Sequence, residues 1–440
     1  MDYQTFFLLL SFLLTCIYAV TLSGRRNSRL PPGPDPFPII GNLLQLTYKP
    51  HRSLATLSKR YGPLMSLKLG SRTTIVVSSP DMAKEFFLTH DMSFSSRSLP
   101  DAARVVDHHK YSMVWLPVGD QWRRLRRITK EYLYSAQRSE ATELILEKKV
   151  LLFSLPKCTT QPWGSTTTIP PPPFPTRPPK SLTPNITSPI NYGPLSREKV
   201  YDALMLLAQV AAAVCCLLQV QDLLDHVNRC CTSEKVVNIG AVVFTTILDI
   251  FFNILFSTDF AENDSVSSQE FKDAVWAILE VGGKPNLADF FPILKLFDPQ
   301  GLLRHGNVHG KKLITMLDMI IDQRLQTRSS SSSCGGVSSI NNDVLDSLLN
   351  LTLKEESGFS RNDMKHWFLV LFIAGTDTTT TTLEWAMTEL IRNPEKMEIA
   401  RSEFDWKLEG NMRALDMDMG EKFGITLPKS VPLMAIPIKL

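Results

Sequence analysis

The densest chemistry in this 440-residue chain lies in Ala374-Gly375-Thr376-Asp377-Thr378, within the stretch HWFLVLFIAGTDTTTTTLEWAMTELIRNPEKMEIAR from His366 to Arg401. Asp377 and Thr378 set a carboxylate beside a hydroxyl where hydroxyls can compete for a helix's i→i−4 ladder. Gly375 lets a ligand or another backbone come close. A second candidate is Trp122 with Arg126. Four residues apart on a helix, an indole N–H and a guanidinium share one face and can reach the same anion. Other pairings carry less. His305 and His309 are spaced for a metal on a helix, but no HExxH glutamate lies between them and Gly306 and Gly310 weaken the helix. His108-His109 reads as a surface loop. Glu389 with Arg392 and Glu398 with Arg401 read as helix-surface ion pairs worth a few tenths of a kcal/mol, roughly. The cysteines, Cys16, Cys158, Cys215, Cys216, Cys230, Cys231 and Cys334, have no CxxC spacing and fit neither a disulfide framework nor a zinc module.

These residues need helices to place them. Gly119-Asp120 precedes QWRRLRRITKEYL, whose basic residues recur along one face, with Asp120 as the expected N-cap. Five successive threonines, Thr378 to Thr382, make a poor helix by propensity, so a helix there must be held by burial on both sides. Upstream, His51 to Tyr61 has helical periodicity, and Leu64–Leu69 and Thr73–Ser78 alternate as two short strands joined at Gly70-Ser71. Pro80 to Thr89 opens as a helix with Pro in its first turn. Ser329 to Ser333 reads as a flexible loop between helices.

Composition narrows the class. With 47 Lys+Arg, 44 Asp+Glu and 44% hydrophobic residues, the chain is globular in character, and a formal charge of +3 leaves no basic stripe for nucleic acid. Phe6 to Leu22 is uncharged, roughly 25 Å long as a helix, and followed by Arg25, Arg26 and Arg29. It reads as a transmembrane helix anchoring residues 1–24 with the body on the cytoplasmic side. Residues 25–42 form a proline-rich hinge, PPGPDPFPIIGN. Twelve prolines lie between Pro156 and Pro194, four of them consecutive at Pro170–Pro173, and cannot belong to a packed helix. Residues 151–220 are therefore expected to be an insertion that stays disordered.

The apolar anchor, the PPGP hinge, the Trp122–Arg126 helix and the AGTDTT string together resemble a plant microsomal cytochrome P450, a haem-thiolate monooxygenase. The AIPIKL ending resembles its monoterpenol and flavonoid hydroxylase branch. The resemblance covers residues 1–150 and 221–440 and implies a mainly α fold with a small β portion: residues 43–150 and 221–403 as the P450 body, and 404–440 as its closing β-region. It implies that Trp122 and Arg126 hold a haem propionate, that Ala374 and Gly375 leave space over the iron, that Thr378 bonds dioxygen and that Asp377 relays protons. The implied reaction is hydroxylation of a small apolar substrate at the endoplasmic reticulum membrane. No GxGxxG or Walker string is present, so NADPH would be handled by a partner, the NADPH-dependent cytochrome P450 reductase. The sequence departs from the family in two respects: residues 151–220 stand where family members continue directly from one helix into the next, and the axial ligand is missing. Haem-thiolate chemistry needs an axial cysteine, the family supplies it downstream of the AGTDTT helix, and no cysteine follows Cys334. The fold is thus expected to be truncated on its haem-proximal side and to offer no metal ligand.

Overall fold

A computed structural model describes residues 30–133, 220–258, 265–333, 343–354, 357–401 and 403–440, together with scattered positions between 3 and 16. Residues Met1–Leu133 and Cys215–Leu440 form one compact unit. The other unit, Tyr134–Val214, lies outside the described residues. So do nearly all of the expected insertion and most of the expected anchor, of which positions such as 7, 8, 11 and 12 are helical.

The hinge docks on the first hairpin. Prolines lack a backbone N–H but keep their carbonyls, which here accept from the hairpin. Ser66 donates its N–H to Pro32 O (2.9 Å) and its hydroxyl to Pro31 O (2.7 Å). Buried Asn42 donates to Asp35 O (3.1 Å) and accepts from Lys68 N–H (2.7 Å). Helix α1 (Pro50–Tyr61) leads into β1 (Leu64–Leu69) and β2 (Arg72–Val77), an antiparallel pair turning at Gly70-Ser71. Helix α2 (Pro80–Leu88) starts with proline in its first turn and Ser79 as its cap, accepting from Met82 N–H at 3.2 Å. A kinked 3-10 segment, Asp101–Lys110, precedes α3 (Asp120–Leu133). Asp120 begins that helix and pairs with Arg123 at 3.3 Å.

The core is helical. Helix α4 (Ile239–Phe256) is long and apolar enough to cross a membrane by composition, yet it packs inside the main core. Phe252 is its hub: Phe256 and Phe271 meet it edge-on at 5.3 and 5.0 Å, and Phe372 lies tilted at 5.3 Å. Each ring so buried contributes about 1.5–3 kcal/mol. Around it stand α5 (Ser265–Gly283), α6 (Leu302–Ser333), α7 (Val344–Thr352) and α8 (Arg361–Arg392). Helix α6 runs through Ser329–Ser333, contrary to the expected loop, with the Ser329 and Ser330 hydroxyls donating to Gln326 O at 2.8 and 2.9 Å. Back-bonding of this kind satisfies hydroxyls that would otherwise compete for the backbone.

Helix α8 opens with a capping box: Ser360 Oγ accepts from Asp363 N–H (3.1 Å) and Asp363 Oδ2 accepts from Ser360 N–H (2.9 Å). From Met364 to Phe372 it is buried on all sides, but the threonine run beyond is not held by burial on both sides as expected: Thr380 is buried, whereas Thr378, Thr379 and Thr382 are exposed. Beyond it come α9 (Pro394–Ala400) and a sheet ordered β3-β5-β4, in which β3 (Val237–Asn238) and β4 (Phe404–Leu408) flank β5 (Met434–Lys439), both antiparallel to it.

Candidate functional site

The second half of α8 has four stripes at i,i+4 spacing, each with a different neighbour. Thr376, Thr380, Glu384 and Thr388 are buried. Glu384 accepts from Leu433 N–H at 2.9 Å, and a Cβ on Gly240 of α4 would meet it at 3.1 Å. Asp377, Thr381 and Trp385 face the segment ahead of β5: Thr426 Oγ1 donates to Asp377 Oδ2 at 2.9 Å and lies 3.1 Å from Thr381 Oγ1, while Trp385 Nε1–H donates to Leu427 O at 2.8 Å. Burial raises the Asp377 carboxyl above its ordinary value, and the bonds from Thr426 only partly offset this.

Ala374, Thr378, Thr382 and Ala386 form the open stripe, all four exposed. Thr378 Oγ1 donates to Ala374 O at 2.8 Å and Thr382 Oγ1 to Thr378 O at 2.8 Å, so the hydroxyls line the helix rather than interrupt it. Gly375 belongs to another face. A Cβ there would lie 2.2 Å from Phe251 Cζ, so the glycine admits the α4 ring. The expected pairing of Ala374 and Gly375 over one space is corrected by packing: adjacent helical residues are about 100° apart.

Trp122 and Arg126 do share a face, as the spacing requires, with the guanidinium 4.9 Å above the indole ring. Arg126 is exposed and Trp122 half-buried. The inner face of α3 carries Leu125 and Ile128 into the core and Thr129, whose Oγ1 accepts from Trp367 Nε1–H at 2.8 Å.

Among the described residues the thiols are Cys16, Cys230 and Cys231. Cys230 is buried among Val237, Ile391, Met397 and Leu433, with its Sγ 3.6 Å from His226 Nε2. His305 and His309 stack edge-on at 4.7 Å on α6, and no cluster of three or more His, Cys, Asp or Glu among the described residues could hold a metal ion. Glu389 and Arg392 pair at 3.9 Å on the helix surface as expected, whereas Arg401 pairs with Asp405 at 2.5 Å.

Three features escaped the sequence. Phe251 carried no signal beyond its apolar helix, and Thr426 had none. His108 was expected in a surface loop, but its Nδ1 lies 2.9 Å from Nδ1 of His366, a residue 4% exposed. Only the two histidines themselves could have hinted at it, since residues far apart in sequence meet there.

A predominantly helical scaffold organised around one long central helix, with an acid–hydroxyl pair at mid-helix, sets the class. The Cytochrome P450 family model matches residues 31–153 and 202–426, and the chain belongs to that family. It is similar to Cytochrome P450 76T24 of Catharanthus roseus, 43% identical over 88% of this chain and 63% of the relative. It is also similar to a Geraniol 8-hydroxylase of the same plant, 35% identical over 92% of this chain and 66% of the relative. A third relative, Inactive cytochrome P450 76AD1 of Beta vulgaris, is 36% identical over 95% of this chain and 83% of its own length. The chain thus spans a little under two thirds of the first two relatives.

Proposed function

We propose that this chain is a catalytically inactive, membrane-bound form of a plant cytochrome P450. The family's reaction is hydroxylation of a small apolar metabolite, such as a monoterpenol, phenylpropanoid or flavonoid. It uses O2 and electrons from the NADPH-dependent cytochrome P450 reductase at the endoplasmic reticulum membrane. Haem, when bound, supplies the oxygen-activating chemistry. In that reading Trp122 and Arg126 would meet a propionate, Ala374 and Thr378 would line the distal face, and Asp377 would hold a proton beside it. Gly375 lets α4 close behind that face.

One observation supports the inactivity: between the Asp377–Thr378 helix and residues 404–440, which resemble the family's closing β-region, the sequence has no cysteine. A haem-thiolate iron takes its axial ligand from sulfur. Of the described thiols, Cys230 is enclosed by Val237, Ile391 and Leu433, Cys231 is its half-buried neighbour in the chain, and Cys16 belongs to the N-terminal apolar run. In this reading the missing element is the sulfur ligand, and no catalytic step is derived through the haem. The test is turnover by the full chain in lipid vesicles with the reductase, NADPH and geraniol. No oxygenated product is expected; a product that scales with enzyme and requires NADPH would contradict the proposal.

A further inference from the structure

The segment Asp101–Lys110 is strained at its centre. Val105 is extended (φ −51°, ψ 125°), and Val106 (46°, 32°) and Asp107 (59°, 23°) follow in the left-handed region. A β-branched residue persists there only where its surroundings hold it. Here they do so at four points. Asp101 N–H donates to Asp289 Oδ1 at 2.7 Å, and Val106 N–H donates to Asn307 Oδ1 of α6 at 2.8 Å. The Val105 methyls fill the hollows over Gly306 and Gly310, where a Cβ would meet them at 2.6 and 2.7 Å. At the far end, His108 and His366 of α8 join Nδ1 to Nδ1 at 2.9 Å, and Tyr111 stacks on His366 at 4.9 Å with its plane within 10°.

A hydrogen bond between two imidazole nitrogens needs one ring to donate and the other to accept. Two imidazolium rings are both donors and repel. We propose that the His108–His366 bond is a proton-sensitive latch that holds the strained segment against α6 and α8, and that mild acid releases it.

The surroundings set the direction. On the segment, Asp107, His109, Lys110 and Tyr111 flank the pair, with Arg104 beside His109. Asp363 and Lys365 face it from α8; Lys365 is tied to Asp318 of α6, and Asp363 to Gln121 of α3. Asp101, near Asp289, Asp298 and Lys295, titrates at the other end. Burial, reinforced by the neighbouring ring, pushes His108 down to about 3, and burial with Lys365 pushes His366 down to about 4. Both rings are therefore neutral when latched. Released rings regain an ordinary value near 6.5 and bind protons below it. Closure is thus complete above about pH 6.5 and weakens as pH falls from there toward 4.

The test is amide hydrogen exchange of the full chain at pH 7.5 and 5.5, corrected for intrinsic rates, on peptides covering 101–112 and the α6 core. Protection of 101–112 is expected to fall about tenfold for each ring that takes up a proton on opening, with α6 unchanged. His108→Asn/His366→Asn, whose amides can replace the Nδ1 contact without titrating, should lose the part of that dependence carried by the two rings, leaving only what His109 contributes. Carbon-13 NMR of labelled histidine gives an independent reading: both rings should still be neutral at pH 6. Protection independent of pH, a loss shared equally by α6, the same slope in the double variant, or two imidazolium rings at pH 6 would each overturn the latch.

Discussion

At the scale of single residues, the site is governed by which face of α8 each side chain occupies. Gly375 is the sharpest case, since a methyl there would lie 2.2 Å from Phe251 Cζ. Gly375→Ala should destabilise the fold by about 1–3 kcal/mol through overpacking. Adding Phe251→Ala should recover part of that loss in urea unfolding, because the two residues share one space. The sequence expected a ligand or another backbone to approach at Gly375, whereas the neighbour in the structure is a phenyl ring of α4. Asp377 makes a pH prediction. Its carboxyl sits above the ordinary 3.8 because burial penalises the charge. A raised folded value means the folded state holds the proton more tightly, so this contribution is full below 3.8 and is lost as pH rises through the folded value. Asp377→Asn, which can still accept from Thr426, should therefore be more stable than the parent at pH 7, with the gain shrinking toward pH 4 in parallel urea titrations.

At the scale of elements, local rules explain where helices begin better than where they end. Pro80 with Ser79 opens α2, and Ser360 with Asp363 opens α8; both starts were legible as punctuation, though only the first was drawn from the sequence. The serines ending α6 read as a loop because their propensity is weak, and back-bonding to Gln326 overrides it. The join of α6 to α7 rests on charge. Arg324 reaches Asp343 at 2.7 Å and Asp346 at 3.1 Å, and all three are nearly buried. Asp343 also caps α7, accepting from Asp346 N–H at 2.9 Å. Burial already raises the Asp343 carboxyl despite Arg324. Arg324→Met leaves the buried Asp343 without its guanidinium while Asp346 keeps Arg328 at 2.8 Å, and a loss of about 3 kcal/mol is expected in thermal or urea unfolding.

At the scale of the whole molecule, one helix ties the two cores together. The first half of α8 lies in the aromatic cluster of α4 and α5, and its second half reaches Ile391 in the smaller cluster with Leu433 and Ala435 of the C-terminal sheet. The mainly helical class and the identity of the central helix were legible from AGTDTT and its apolar approach. The meeting of His108 with His366, and of Thr426 with Asp377, was not, since each joins segments far apart in the chain whose contact only tertiary packing decides. Ala374 and Thr378, proposed above to line the distal face, lie on an exposed stripe of α8 with Thr382 and Ala386. The most direct test is the ferrous–CO absorption spectrum of the full chain expressed with abundant haem precursor. No Soret band of a thiolate-ligated carbonyl complex is expected; such a band at near-stoichiometric haem would contradict the inactive assignment.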